Sequence, residues 1–158
     1  MTHANREIVL RFLAQPIDVN FGGKVHGGSV MKWLDQAGYV CATTWSGKYC
    51  VTAFVGDMNF HQPIHVGELI EVRAKIIHTG RTSMHILIEL HTSSPMQGEL
   101  LKALRCMMVF VAVDKDGHAI ATPAWQPTSE EDIALENYAV TIMELRRTNQ
   151  KALDQLGT

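Results

Sequence analysis

The stretch Asn20-Phe21-Gly22-Gly23-Lys24-Val25-His26-Gly27-Gly28, continuing as Ser29-Val30-Met31-Lys32-Trp33-Leu34-Asp35-Gln36-Ala37-Gly38, decides how this chain is read. Its glycines, asparagine and histidine make a loop, which opens directly into an amphipathic helix predicted over about 27–45. At about 100° per residue, Val30, Leu34, Ala37, Gly38, Cys41 and Trp45 share one face. Ser29, Lys32, Gln36 and Thr43 share the other. Apolar side chains take more than half of the circumference, so the helix is expected to be mostly buried and wrapped by a sheet. Its first N–H groups lack intrahelical partners and sit at the positive end of the helix dipole. Gly27 and Gly28 place no side chain in front of them, and one carboxylate, Asp35, follows two turns later. These are the parts needed to polarise a carbonyl and activate a water.

Working outward, Ile8 to Leu13 is a short apolar run, a first strand or an ordered lead-in, and 16–23 is loop chemistry. After Ser46-Gly47 the hydrophobic period changes from 3.6 to 2. Strands are predicted over 51–60, 69–79, 84–91 and 100–113. Ile70, Val72, Ala74 and Ile76 oppose Glu71, Arg73 and Lys75, while Met84, Ile86, Ile88 and Leu90 oppose His85, Glu89 and His91. A polar side on each strand argues for an antiparallel sheet covered on one face. Thr128-Ser129-Glu130-Glu131 has the shape of a capping box, opening a second helix to about 151 with Leu135, Tyr138, Ile142 and Leu145 as its stripe. The reading is one α+β domain over 1–158, with a core at about 8–126 and a terminal helix at about 129–151.

The charge of −2 gives no reason to expect nucleic acid or an anionic membrane as partner. No run approaches the about 18 apolar residues of a membrane span, and Met1 to Glu7 has no apolar signal segment. Cys41, Cys50 and Cys106 are odd in number and lack C-x-x-C spacing, which fits free thiols and a cytoplasmic location. Eight histidines raise the question of a metal. His61-x-x-x-His65 flanks Pro63, however, and His78, His85 and His91 fall on different turns or faces, so none is expected.

The run N-x-x-G-x-x-H-G-G followed by L-D-x-A-G resembles the hotdog acyl-CoA thioesterases. Val51-Thr52, Asn59-Phe60-His61-Gln62-Pro63-Ile64-His65-Val66-Gly67-Glu68 and Gly80-Arg81-Thr82-Ser83-Met84 follow in the order found in that family. Together they resemble the bacterial and the cytosolic brain-type acyl-CoA hydrolases over roughly Ile8 to Glu144. Many relatives carry Phe-Gly-Gly where this chain has His26-Gly27-Gly28. The resemblance implies an antiparallel sheet around a long central helix, an acyl-CoA substrate and no cofactor beyond the coenzyme A of that substrate.

It also implies that Asp35 is the catalytic acid, as general base on water or as direct nucleophile. Asn20 would orient the water or the thioester, or serve only as a turn residue. His26 would bond near the thioester or cap the helix. The oxyanion donor would be the backbone N–H of Gly28 or Gly27. Gly80, Arg81, Thr82 and Ser83 are expected to meet coenzyme A, Arg81 offering a fork for phosphate. Arg73, Lys75, Lys102 and Arg105 either add to that charge or are solvated sheet residues. Trp33, Met31 and Tyr39 are core residues or a wall for the acyl chain.

Helix geometry adds one expectation. Gly28 and Asp35 point nearly the same way, yet seven residues of about 1.5 Å rise separate them by roughly 10 Å. A general base must lie within about 3 Å of its proton or one water away. Asp35 therefore cannot serve a carbonyl held by its own Gly28. Two antiparallel helices bring Asp35 of one protomer to Gly28 of the other, so an obligate dimer with two shared sites is expected. Related enzymes often assemble as trimers of such dimers. A hydratase or dehydratase on the same fold and a non-catalytic acyl-CoA sensor are the alternatives.

Overall fold

The computed structural model describes residues 5–157. Strand β1 (Glu7–Leu13) leads through a 3-10 turn at Pro16–Asp18 to helix α1 (Gly27–Ser46). Strands β2 (Cys50–Phe60), β3 (Leu69–Thr79), β4 (Ser83–Ser93) and β5 (Leu101–Ala112) follow, and helix α2 (Glu130–Asp154) closes the chain. The five strands form one antiparallel sheet in the order β1-β3-β4-β5-β2. The chain leaves β1 on one edge and re-enters at β2 on the other, so α1 must cross the sheet. Twenty residues give α1 about 30 Å, enough to span five strands spaced about 4.8 Å apart. A sheet curled around one buried helix is the hotdog arrangement.

The expected helix face is the one that packs. Val30, Leu34, Ala37, Gly38 and Cys41 are buried against Ile86, Ile88, Leu104 and Phe110 of the sheet, joined by Trp33 and Ala42. At Gly38 a Cβ would lie 2.5 Å from the Phe110 ring and 3.2 Å from Ile88, so glycine sets how closely helix and sheet approach. Gly38→Ala is accordingly expected to cost about 1–3 kcal/mol, read as a lowered denaturation midpoint, despite the gain in helix propensity. Met31, Asp35, Tyr39 and Val40 form the exposed side of α1, which is less enclosed than the apolar count suggests.

The opposite face of the sheet is not left to solvent, which corrects the expectation of a single covered face. Helix α2 packs Ala139, with Leu135, Tyr138, Ile142 and Met143, onto Ile77, Met107 and Val109. On this face, groups that alternation marks as polar are nevertheless buried: Glu71, His85 and His91. Glu71 is held by Arg11 and Arg73 at 2.7 and 2.6 Å. Burial works to raise its pKa, and the two arginines overcome that and lower it. Leu145, expected in the buried stripe, is 54% exposed, because α2 outruns the sheet and the residues from Glu144 to Gly157 are all exposed.

The cap of α2 is Ser129 rather than Thr128, its hydroxyl accepting from the N–H of Asp132. The Asp132 carboxylate pairs with Arg6 at 2.7 Å, and Arg6 also lies over the Trp125 ring. The Arg6 hydrogen bond holds the carboxyl down to about 2, against an ordinary aspartate value near 4. Burial also pushes His85 down, to about 4 from about 6.5, by penalising its charged form. Both folded-state values lie below the unfolded ones, so the folded state binds fewer protons and stability falls on acidification: Asp132 loses its pairing with Arg6, and His85 has to be charged against its burial. Stability measured by urea unfolding should fall between about pH 6.5 and 4 through His85, then between about 4 and 2 through Asp132. His85→Phe should flatten the upper part of that profile.

Candidate active site

The glycine loop is built around Asn20. Its Oδ1 accepts from the N–H groups of Gly22 and Lys24 at 2.9 and 3.2 Å, and its own N–H donates to the Lys24 carbonyl. The turn needs Gly23, whose φ is +78°. The His26 N–H donates to the Asp18 carbonyl at 2.6 Å and the Val25 N–H to that of Ile64, which closes the loop and aims the chain into α1. The Asn20 oxygen is therefore consumed by the loop, while its amide NH2 has no partner among the described residues.

His26 is the N-cap of α1, its Nδ1 accepting from the Gly28 N–H at 3.2 Å. That amide is thus occupied by the imidazole. The Gly27 N–H has no such partner among the described residues. An added Cβ at Gly27 would meet nothing within 4 Å, and one at Gly28 would touch only the His26 ring at 3.5 Å. Neither glycine is demanded by packing within the chain, in contrast to Gly38. What their missing side chains provide is an open approach to the first amides of the helix.

Asp35 is exposed, two turns along the same helix, and its Oδ1 accepts from the Thr52 hydroxyl at 2.5 Å. Thr52 belongs to β2, one of the two edge strands, just before a bulge between Thr52 and Phe54. Sequence reasoning passed over Thr52 as a site residue. Its only signal was membership of the Val51-Thr52 pair, because the contact spans 17 residues and a helix–strand boundary. The hydroxyl fixes one carboxylate oxygen, and the other has no partner among the described residues. The cysteines offer no rival nucleophile: all three are free and buried, and burial pushes Cys41 and Cys106 up to about 12.

Asn20, His26, Gly27 and Gly28 thus meet at the entrance of α1, while Asp35 pairs with Thr52 farther along. Gly80, Arg81, Thr82 and Ser83 form the β3–β4 turn, tied down by Gly80 N–H to Ser83 O and by Ala112 and Thr122 N–H groups onto Thr82 and Arg81 carbonyls. Among the described residues, no hydrogen bond joins this turn to Asp35 or to the glycine loop. One gathering of metal-type donors, Asp114, Asp116 and His118, is already organised as a turn, with Asp114 Oδ1 accepting two backbone N–H groups.

A family model described as the thioesterase superfamily matches residues 22–99. The acyl-CoA thioester hydrolase YciA of Escherichia coli is 34% identical over 74% of this chain and 91% of that protein. The chain belongs to the thioesterase superfamily. Solved structures of this superfamily superpose closely: an apo-hexameric acyl-CoA thioesterase at 28% identity with a TM-score of 0.86, covering 92% of this chain and 93% of that one. An acyl-CoA hydrolase from Bacillus cereus follows at 25% identity and a TM-score of 0.84, covering 96% and 94%. This thioesterase therefore presents an open helix N-terminus and a hydroxyl-braced carboxylate on the same helix, the two kinds of group that thioester hydrolysis requires.

Proposed function

We propose that this thioesterase hydrolyses acyl-CoA to a free acid and coenzyme A at sites shared between two copies of the chain. The observation that carries the reading is the position of Asp35: exposed, braced by Thr52, and set at the unpaired β2 edge. Strand β2 is eleven residues long, with Val51, Val55 and Phe60 exposed along it and Met31 and Tyr39 exposed on the neighbouring helix. A long apolar edge of this kind is ordinarily covered. A second copy pairing there would set its own α1 beside this one, which answers the roughly 10 Å between Gly28 and Asp35 within a chain. The description of one similar thioesterase as hexameric supports assembly beyond the dimer.

In this reading the partner's helix N-terminus, through the amide of Gly27 or Gly28, holds the thioester carbonyl. The Asn20 amide donates to the water or the thioester. Asp35 takes a proton from water as its oxygen adds to the carbonyl carbon. The oxyanion then collapses, the carbon–sulfur bond breaks, and the thiolate of coenzyme A takes the proton back from Asp35. The β3–β4 turn carrying Arg81 is assigned to coenzyme A. Release of free thiol from acyl-CoAs between acetyl and palmitoyl, followed with a thiol reagent, tests the proposal. Turnover of at least one chain length is expected. Binding without thiol release would instead mark a sensor, and water addition to an enoyl-CoA would mark a hydratase.

A further inference from the structure

The sheet face turned away from Asp35 carries, beside Ser83 of the β3–β4 turn, polar groups that the proposed hydrolysis does not use. A cleft of about 390 Å³ opens where the β3–β4 hairpin meets α2, with His78, Ser83 and His85 on one side and Arg146 and Arg147 on the other. Alternation along β4 sends Met84 and Ile86 into the core around α1, so Ser83 and His85 face the α2 side.

Three observations converge on this cleft. Arg146 and Arg147 have no carboxylate partner among the described residues, and Arg146 is held over the Phe54 ring at 4.6 Å. The acid facing the cluster from α2, Glu136, is already engaged by His78 Nδ1 at 3.0 Å. His85 is only 6% exposed, its Nδ1 has no partner among the described residues, and its Nε2 lies 3.4 Å from the Ser83 hydroxyl. Such incompletely satisfied buried groups are costly, and a ligand that extends the network would offset this. Finally, a Cβ on Gly80 would come within 2.6 Å of Ser83 Oγ, so the glycine keeps room for that hydroxyl beside His85.

We propose that this cleft binds a phosphate monoester. Two guanidinium forks suit a phosphate, and the Ser83 hydroxyl can accept from His85 Nε2–H while donating its own proton to a phosphate oxygen. Val109, Val140 and Met143 supply an apolar wall for the organic part of the ester. The phosphate comes either from coenzyme A, in which case the site rests on the acyl-CoA reading and deepens it, or from a separate phosphorylated metabolite, in which case it goes beyond it.

Histidine NMR on the intact protein, titrated separately with inorganic phosphate, coenzyme A and phosphate-free pantetheine, tests the site. The His85 signal should move saturably with inorganic phosphate and not with pantetheine. Arg147→Ala, on the exposed overhang of α2, should weaken phosphate binding about tenfold, and Ser83→Ala should weaken it independently. If Arg147→Ala also raises KM for acyl-CoA relative to that for acyl-pantetheine, the substrate supplies the phosphate. An unchanged ratio with phosphate binding retained in the wild type assigns a separate ligand. No His85 shift with phosphate or coenzyme A, or a non-saturating shift that Arg147→Ala and Ser83→Ala leave unaltered, overturns the site, whatever thiol release at Asp35 shows.

Discussion

Asp35→Ala is expected to lower kcat for thiol release from acyl-CoA by about 10²–10⁴-fold, the range a positioned general base contributes. The carboxylate is the one acidic group on the open side of α1, and Thr52 holds its Oδ1 at 2.5 Å. Because Asp35 is exposed, its removal should change stability by no more than about 0.5 kcal/mol, and coenzyme A should still bind. Rate loss with an unchanged unfolding midpoint is therefore the expected pair of results. Thr52→Val serves as the graded control: it frees the carboxylate without removing it and should reduce kcat by about tenfold. An Asp35→Ala enzyme within a few-fold of wild type would show that the catalytic assignment is wrong.

Mixing two inactive variants should restore activity. Gly27→Val sets a branched side chain over the open amide at the start of α1, yet a Cβ there meets nothing within 4 Å of its own chain. Its stability should equal or exceed wild type, since valine is the better helix former, while turnover falls by about 10²-fold as the oxyanion donor is screened. Asp35→Ala is inactive for the opposite reason. A hybrid dimer of the two contains one site built from both intact halves. Statistical exchange makes half the dimers hybrid with one working site of two, so about a quarter of the wild-type rate should return. A mixture that stays inactive after verified subunit exchange would place both halves within one chain.

Both expectations depend on features that differ in how they were visible. The α1 face was legible because 3.6-residue periodicity is a local signal: Val30, Leu34, Ala37, Gly38 and Cys41 repeat within a few turns and pack as that repeat requires. Strands β3 and β4 were legible for the same reason at period 2. The buried condition of Glu71, His85 and His91 was not, because alternation says only which face a residue takes: Glu71 is paired with Arg11 and Arg73, and His85 lies in a cleft with α2 residues some 55 positions away in sequence. Ser129 rather than Thr128 caps α2 because Asp132, three residues on, is the residue Arg6 holds in place.

The site divides along the same line. By itself the sequence determined the family, the glycine loop that leads into α1, and the roughly 10 Å between Gly28 and Asp35, because motif order and helical rise are properties of the covalent chain. Only the tertiary structure decided that Thr52 braces Asp35, that His26 occupies the Gly28 amide while Gly27 stays open, and that β2 lies at the unpaired edge. Each of those depends on which strand lands beside which helix, and that is settled by burying apolar area over the whole domain rather than by any local pattern.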